Sequence, residues 1–142
     1  MRRIKFIGKR IDGKGWIRNS YTLIQDGDGT WLHDNDVEKI DENTLGQFTG
    51  LCDKSGKEIY EHDLVECAGV LCEVVYSDKI GSFVLLEVLS QNLGNKPIGQ
   101  MMDMFGIRYA GNIYDNPELL ANRQWRLMGC CQICQASGGL TA

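Results

Sequence analysis

Apolar and polar residues alternate over short runs along most of this chain. In Arg3-Ile4-Lys5-Phe6, an extended backbone puts Ile4 and Phe6 on one face and the two cations on the other. The same period of two groups Cys72, Val74 and Tyr76 on one side of their run. Short stretches rich in β-branched and aromatic residues predict strands over residues 4–7, 16–24, 30–33, 45–49, 63–67, 71–76 and 83–89. Between them fall Asp12-Gly13, Asp26-Gly27 and Asp28-Gly29, hairpin signals because glycine accepts positive φ and aspartate tolerates it. Strands this short and this regularly punctuated predict a small barrel or sandwich. One segment reads as helical: Asn116-Pro117-Glu118-Leu119-Leu120 places a capping side chain before proline at the first helical position, with an acid in the first turn. That helix is expected to run to about residue 127 and to stop at Gly129. Residues 91–100 read as a loop, and the small, polar residues 135–142 as a frayed end.

Composition narrows this picture. The 142 residues suit one domain or two small ones, and a hydrophobic fraction of 43% excludes disorder for most of the chain. The longest aliphatic or aromatic run, Phe83-Val84-Leu85-Leu86, is far short of the roughly 18 residues of a membrane span, so no membrane association is expected. The net charge of −4 is unevenly distributed. Residues 1–18 carry seven bases and one acid, while residues 26–66 carry twelve acids and three bases. Met1-Arg2-Arg3 is not followed by the apolar stretch of a signal peptide, so a cytoplasmic location is expected, with the six cysteines reduced.

Candidate chemistry is sparse. His62 lies between Glu61 and Asp63, and His33 precedes Asp34, but neighbours on a strand point in different directions. No nucleophile elbow, paired-histidine motif or phosphate-binding loop is present, so no catalytic residue and no enzymatic role are expected. Asp26-Gly27-Asp28-Gly29-Thr30 starts like a calcium loop, but Trp31 and Val37 occupy the positions that need Gly and Glu. The acidic residues Asp34, Asp36, Glu38, Asp41 and Glu42 read as a solvated loop. Cys131-x-x-Cys134 has the spacing of half a zinc site, yet Cys67 and Cys72, separated by four residues of strand-like sequence, fit its other half poorly. No metal and no cofactor are expected.

The basic start remains. Arg2, Arg3, Lys5, Lys9 and Arg10 are the candidate contacts for a charged partner. Interleaved with Phe6 and Trp16, they could dock on nucleic-acid phosphates with an aromatic stacked on a base. A pI of about 5.1 is far from the basic signature of such modules. The competing reading pairs the basic start with the acidic residues 26–66, within one chain or between copies.

Two longer blocks are more specific. One is Leu45-Gly46-Gln47-Phe48-Thr49-Gly50-Leu51 followed by Asp53-Lys54-Ser55-Gly56-Lys57-Glu58-Ile59-Tyr60-Glu61-His62-Asp63-Leu64-Val65; the other is Gly111-Asn112-Ile113-Tyr114-Asp115-Asn116-Pro117-Glu118-Leu119-Leu120. With Ile4-Lys5-Phe6 and Gly8-Lys9-Arg10, they closely resemble the YopX family of phage and prophage proteins, over residues 1 to about 120. The resemblance implies a mostly β protein: an N-terminal β portion over residues 1–48 and an SH3-like small barrel with a short terminal helix over 49–128. The cysteine-bearing residues 129–142 have no counterpart in the family and read as a separate tail. The family's biochemical role is not established. The sequence departs from its pattern at His62, where glycine is usual; histidine enters the left-handed region at some strain. The expected function is a non-catalytic binding module with a protein partner or a second copy of itself. The alternative is a nucleic-acid accessory protein acting through the basic N-terminal strand.

Overall fold

Antiparallel pairing, mostly of strands close in sequence, generates the β structure among the described residues. The computed structural model describes residues 2–120, and the chain divides into two compact units between His62 and Asp63. The 48/49 boundary expected from the sequence falls inside a strand.

The first unit holds two sheets. In one, β1 (Phe6–Lys9) pairs with β2 (Trp16–Ser20) and with β6 (Gly46–Cys52), which in turn pairs with β7 (Glu58–Tyr60). In the other, β3 (Leu23–Asp26), β4 (Gly29–His33) and β5 (Val37–Ile40) form a meander. The bridge between Arg10 and Ile40 joins them, with Asp41 donating its backbone N–H to the Lys9 carbonyl at 2.8 Å. One core cluster, Ile7, Phe48 and Tyr60, is covered by Trp16. A second, Ile17, Leu32 and Ile40, gathers Phe6, Leu23 and Leu45 from both sheets. Burying such aliphatic side chains stabilises the unit by about 1.5–3 kcal/mol each.

Two expectations need correction here. The strand expected over residues 16–24 is two strands, because the Ser20 hydroxyl donates to the Thr22 carbonyl at 2.8 Å and accepts from His33 N–H at 3.0 Å, turning the chain. The acidic stretch contains β5: Ile40 is buried while Val37 and Lys39 face outward, and this alternation outweighs the charges.

The second unit is a four-stranded antiparallel sheet in the order β10 (Ser82–Glu87), β9 (Val70–Ser77), β8 (Asp63–Cys67), β11 (Arg108–Asn112). A helix, α1 (Ile98–Phe105), packs on β10 and β8. Leu64, Val65, Val74, Val84, Leu85, Val88, Ile98 and Ile107 are buried. The mostly β character is as expected, but among the described residues the sheet is open, with no closed barrel. The loop expected over residues 91–100 gives way to α1 at its end: Pro97 precedes the first turn, Ile98 is buried, and Gly106, at φ +76, stops the helix. Strand β11 was not legible either, since Arg108-Tyr109-Ala110-Gly111 carries little apolar alternation and contains a register irregularity.

Residues 117–120 are helical as expected. The Asn116 side chain does not cap them: its Oδ1 accepts from Asn112 N–H at 3.1 Å. The rest of that helix, the tail over 129–142, and Cys131 with Cys134 lie outside the described residues.

Candidate functional site

The basic start is largely engaged within its own unit. Lys5 is buried at 3% exposure, where its ammonium lies 2.6 Å from Glu58 Oε2, 2.8 Å from Asn19 Oδ1 and 4.8 Å from the Phe48 ring centroid. Burial of that cation is tolerable only with such partners. Tyr60 completes the cluster, its hydroxyl 3.4 Å from both Asn19 Oδ1 and Glu58 Oε1. Burial, reinforced by Glu58, raises the Tyr60 pKa above the ordinary tyrosine value. Asn19, at φ +59, is in the left-handed region that asparagine enters more readily than most residues.

Arg10 is held by three carboxylates, at 2.7 Å from Asp12, 3.2 Å from Glu38 and 4.0 Å from Asp34. The Asp12 hydrogen bond is the main cause of a raised Arg10 pKa, and Arg10 in turn holds Asp12 below the usual carboxylate range. The Lys9 ammonium and the Arg18 guanidinium each lie 5.8 Å from the Trp16 ring centroid. Such cation–π contacts attach both charges to the protein's own surface. Of the five candidate contact residues, Lys5 is thus inaccessible and Arg10 neutralised, while Arg2 and Arg3 are exposed. The acids that meet Lys5 and Arg10 come from Asp12 and from the acidic residues 26–66, within one chain.

The histidines are dispersed. His33 ends β4 in the meander, and His62 follows β7 in the other sheet at φ +77. Among the described residues, no group of three or more His, Cys, Asp or Glu side chains is placed to hold a metal ion.

Both long blocks singled out in the sequence do structural work. Asp53 Oδ1 accepts from Ser55 N–H at 3.0 Å, Ser55 hydroxyl at 2.7 Å and Lys57 N–H at 2.9 Å, folding the turn between β6 and β7. Asn112 Oδ1 accepts from the Tyr114 and Asp115 N–H groups at 2.9 and 2.8 Å, closing the turn after β11. These are local side-chain substitutes for backbone pairing.

A family model described as YopX protein matches residues 12–121. The chain belongs to the YopX family. The crystal structure of protein EF1440 from Enterococcus faecalis is similar in fold, with a TM-score of 0.54 and 23% identity over 84% of this chain and 99% of that one. No curated protein matches.

Among the outward-facing apolar residues of this YopX chain, several line up as a row on the meander. Register places Ile24 opposite Trp31 and Trp31 opposite Lys39, with His33 opposite Val37 on the same face. Ile24 and Val37 are 40% and 43% exposed, Trp31 is half-buried, and the Lys39 ammonium lies 5.6 Å from its ring centroid. Asp26 and Asp28 flank one end and Asp34 and Asp36 the other, all exposed. Sequence reasoning missed this face because it read 34–42 as a loop; the alternation of Trp31 and His33 against Leu32 was the available signal.

Proposed function

We propose that this YopX protein is a non-catalytic binding module that recognises a protein partner. The observation that carries the reading is the Ile24–Trp31–Lys39 row with its acidic ends. A half-buried tryptophan beside exposed aliphatic residues is the typical centre of an interaction hot spot. Aspartates at the rim favour a basic partner and speed its approach. The family resemblance adds a phage or prophage origin in a bacterial host and an SH3-like character for the second unit, and the place of action in this proposal is the cytoplasm of that host.

Absence of catalysis is part of the proposal, supported by the dispersal of His33 and His62 and by the structural use of both long sequence blocks. The nucleic-acid alternative is weakened by the engagement of Lys5 and Arg10 inside the unit.

Affinity capture from induced cells, with and without nuclease, tests both readings. A nuclease-resistant protein lost on Trp31→Ala and on Asp34→Lys/Asp36→Lys supports the module. Retention by both variants overturns that surface. Material released by nuclease and lost on Arg2→Glu/Arg3→Glu would instead support the nucleic-acid reading. A turnover abolished by His62→Ala would sink the non-catalytic one.

A further inference from the structure

The second unit contains a pair of thiols brought together by its tightest hairpin. Between β8 and β9, Ala68 and Gly69 have φ +53 and +77, the two positive values of a two-residue turn whose twist matches the flanking strands. That turn places Cys67 opposite Val70 and Val65 opposite Cys72. All four side chains therefore share one face, and the two cysteines are diagonal neighbours across the ladder. In the sequence, Cys67 and Cys72 are only separated by four residues of strand-like sequence; the turn inside them is what unites the thiols.

Both cysteines are buried, at 3% exposure each, and both line a cavity of about 130 Å³. Met101 of α1 lines the same cavity, bringing a thioether to two thiols. Lys96 and Glu87 are its charged wall residues, and Gly94 is held beside them by donating its N–H to the Leu85 carbonyl at 2.8 Å. Glu87 is opposite Cys72 on β10 and accepts from the Ser90 hydroxyl at 2.7 Å.

Diagonal neighbours have Cα atoms roughly 7–8 Å apart, wider than the separation that suits a disulfide. Two metal–sulfur bonds of about 2.3 Å laid end to end span roughly 4.6 Å, which two inward-turned cysteine side chains on such a diagonal can bracket. Zinc would need a third and fourth strong ligand, and none is grouped here among the described residues. A soft cation content with two thiolates and a thioether has no such requirement.

We propose that Cys67 and Cys72 form a two-thiolate site for Cu(I), with Met101 as a supporting soft donor. Binding replaces two S–H bonds with two Cu–S bonds and releases two protons, with no change in copper oxidation state. The resulting bis-thiolate complex carries one negative charge; of the two charged wall residues, Lys96 opposes that charge and Glu87, opposite Cys72, adds to it. Copper must arrive already reduced, as it is in a thiol-rich reducing solution.

The test uses the full chain with its other thiols removed, C52S/C130S/C131S/C134S, titrated anaerobically with Cu(I) against a chromogenic Cu(I) chelator. One copper per chain, seen also by native mass spectrometry, is expected. Adding Cys67→Ala or Cys72→Ala should abolish that stoichiometry, and Met101→Leu should weaken it about tenfold, as loss of a supporting group at a metal site does. Circular dichroism on each variant establishes that the comparison is between folded chains; should the alanine variants unfold, X-ray absorption on the parent decides, with sulfur-only copper coordination expected. No copper retention by the parent, or nitrogen and oxygen ligation, overturns the site. Preferential Zn²⁺ binding overturns the choice of metal.

Discussion

Lys5 and Glu58, 53 residues apart in the chain, form a 2.6 Å ion pair whose cation is buried and whose carboxylate is 29% exposed. The two ends of the pair therefore differ in what their loss leaves behind. Glu58→Ala strands a buried ammonium and should destabilise the first unit by about 2–4 kcal/mol. Lys5→Met leaves a carboxylate that water can reach and should cost about 1 kcal/mol. Urea denaturation of both variants checks the asymmetry, and Lys5→Met/Glu58→Met should recover most of the Glu58→Ala loss. Equal costs for the single variants would contradict the burial difference.

Two glycines in the first unit meet different obstacles. A Cβ at Gly46 would sit 2.7 Å from the Glu61 carbonyl oxygen, a backbone atom fixed by the β6–β7 region. At Gly8 it would meet the ends of the Ile40 and Leu32 side chains, with Ile40 Cβ 3.3 Å away; those ends can give only by disturbing the core cluster they fill. Gly46→Ala should cost about 2–3 kcal/mol and Gly8→Ala about 1–2 kcal/mol. Thermal unfolding midpoints in the reverse order would argue against this geometry.

The Asp53 carboxylate accepts three hydrogen bonds from the turn it begins. Replacement by alanine leaves two backbone donors to water and should cost about 2 kcal/mol, since bonds to a charged acceptor are the stronger kind. Asp53→Asn keeps one acceptor oxygen and should retain about half of that stability. Hydrogen exchange at the Ser55 and Lys57 amides should accelerate in the alanine variant before it does elsewhere.

His62, at φ +77, holds a conformation that costs a side-chain-bearing residue about 1–2 kcal/mol. His62→Gly removes that strain but adds backbone freedom to the unfolded chain. A net gain of about 0.5 kcal/mol is expected, with no gain from His62→Ala. A fall in stability for the glycine variant would show that other contacts of the imidazole outweigh its backbone strain.

Stability should decline in alkali. Burial, followed by Cys67 and Glu87, pushes the Cys72 thiol up to about 12, and burial also raises Cys67. Tyr60 is raised in the first unit. In all three the folded state keeps its proton longer than the unfolded chain does. Their contribution is therefore complete below the ordinary thiol value of 9.0 and is lost as pH climbs through the folded values. Denaturation midpoints at pH 7, 9 and 10.5 should fall in that order, about level at first and then steeply. Cys72→Ala should flatten the decline of the second unit.

Local patterns carried much of the fold. The alternation in 71–76 and 83–89 and the aspartate-glycine turns were enough to place most strands and the mostly β class. Elements whose signal is spread over sequence-distant partners were not legible. Strand β5 hides among aspartates because its one buried apolar position, Ile40, acquires meaning only from Leu32 and Ile17. Helix α1 is eight residues long and contains a glycine, so its stability comes from packing on β10 and β8 and not from propensity. The basic start was legible as a charge asymmetry, but which partner each cation takes was not.

The sequence by itself determined the β-rich class, the YopX membership and the turn chemistry of Asp53 and Asn112, because these depend on residues adjacent in the chain. Tertiary structure alone decided that Lys5 is a buried partner of Glu58, that Trp31 lies in an exposed row with Ile24 and Lys39, and that Cys67 and Cys72 share a cavity with Met101. Each of those facts is a strand register or a helix docking. Register and docking are set by how distant faces pack, which no local pattern contains.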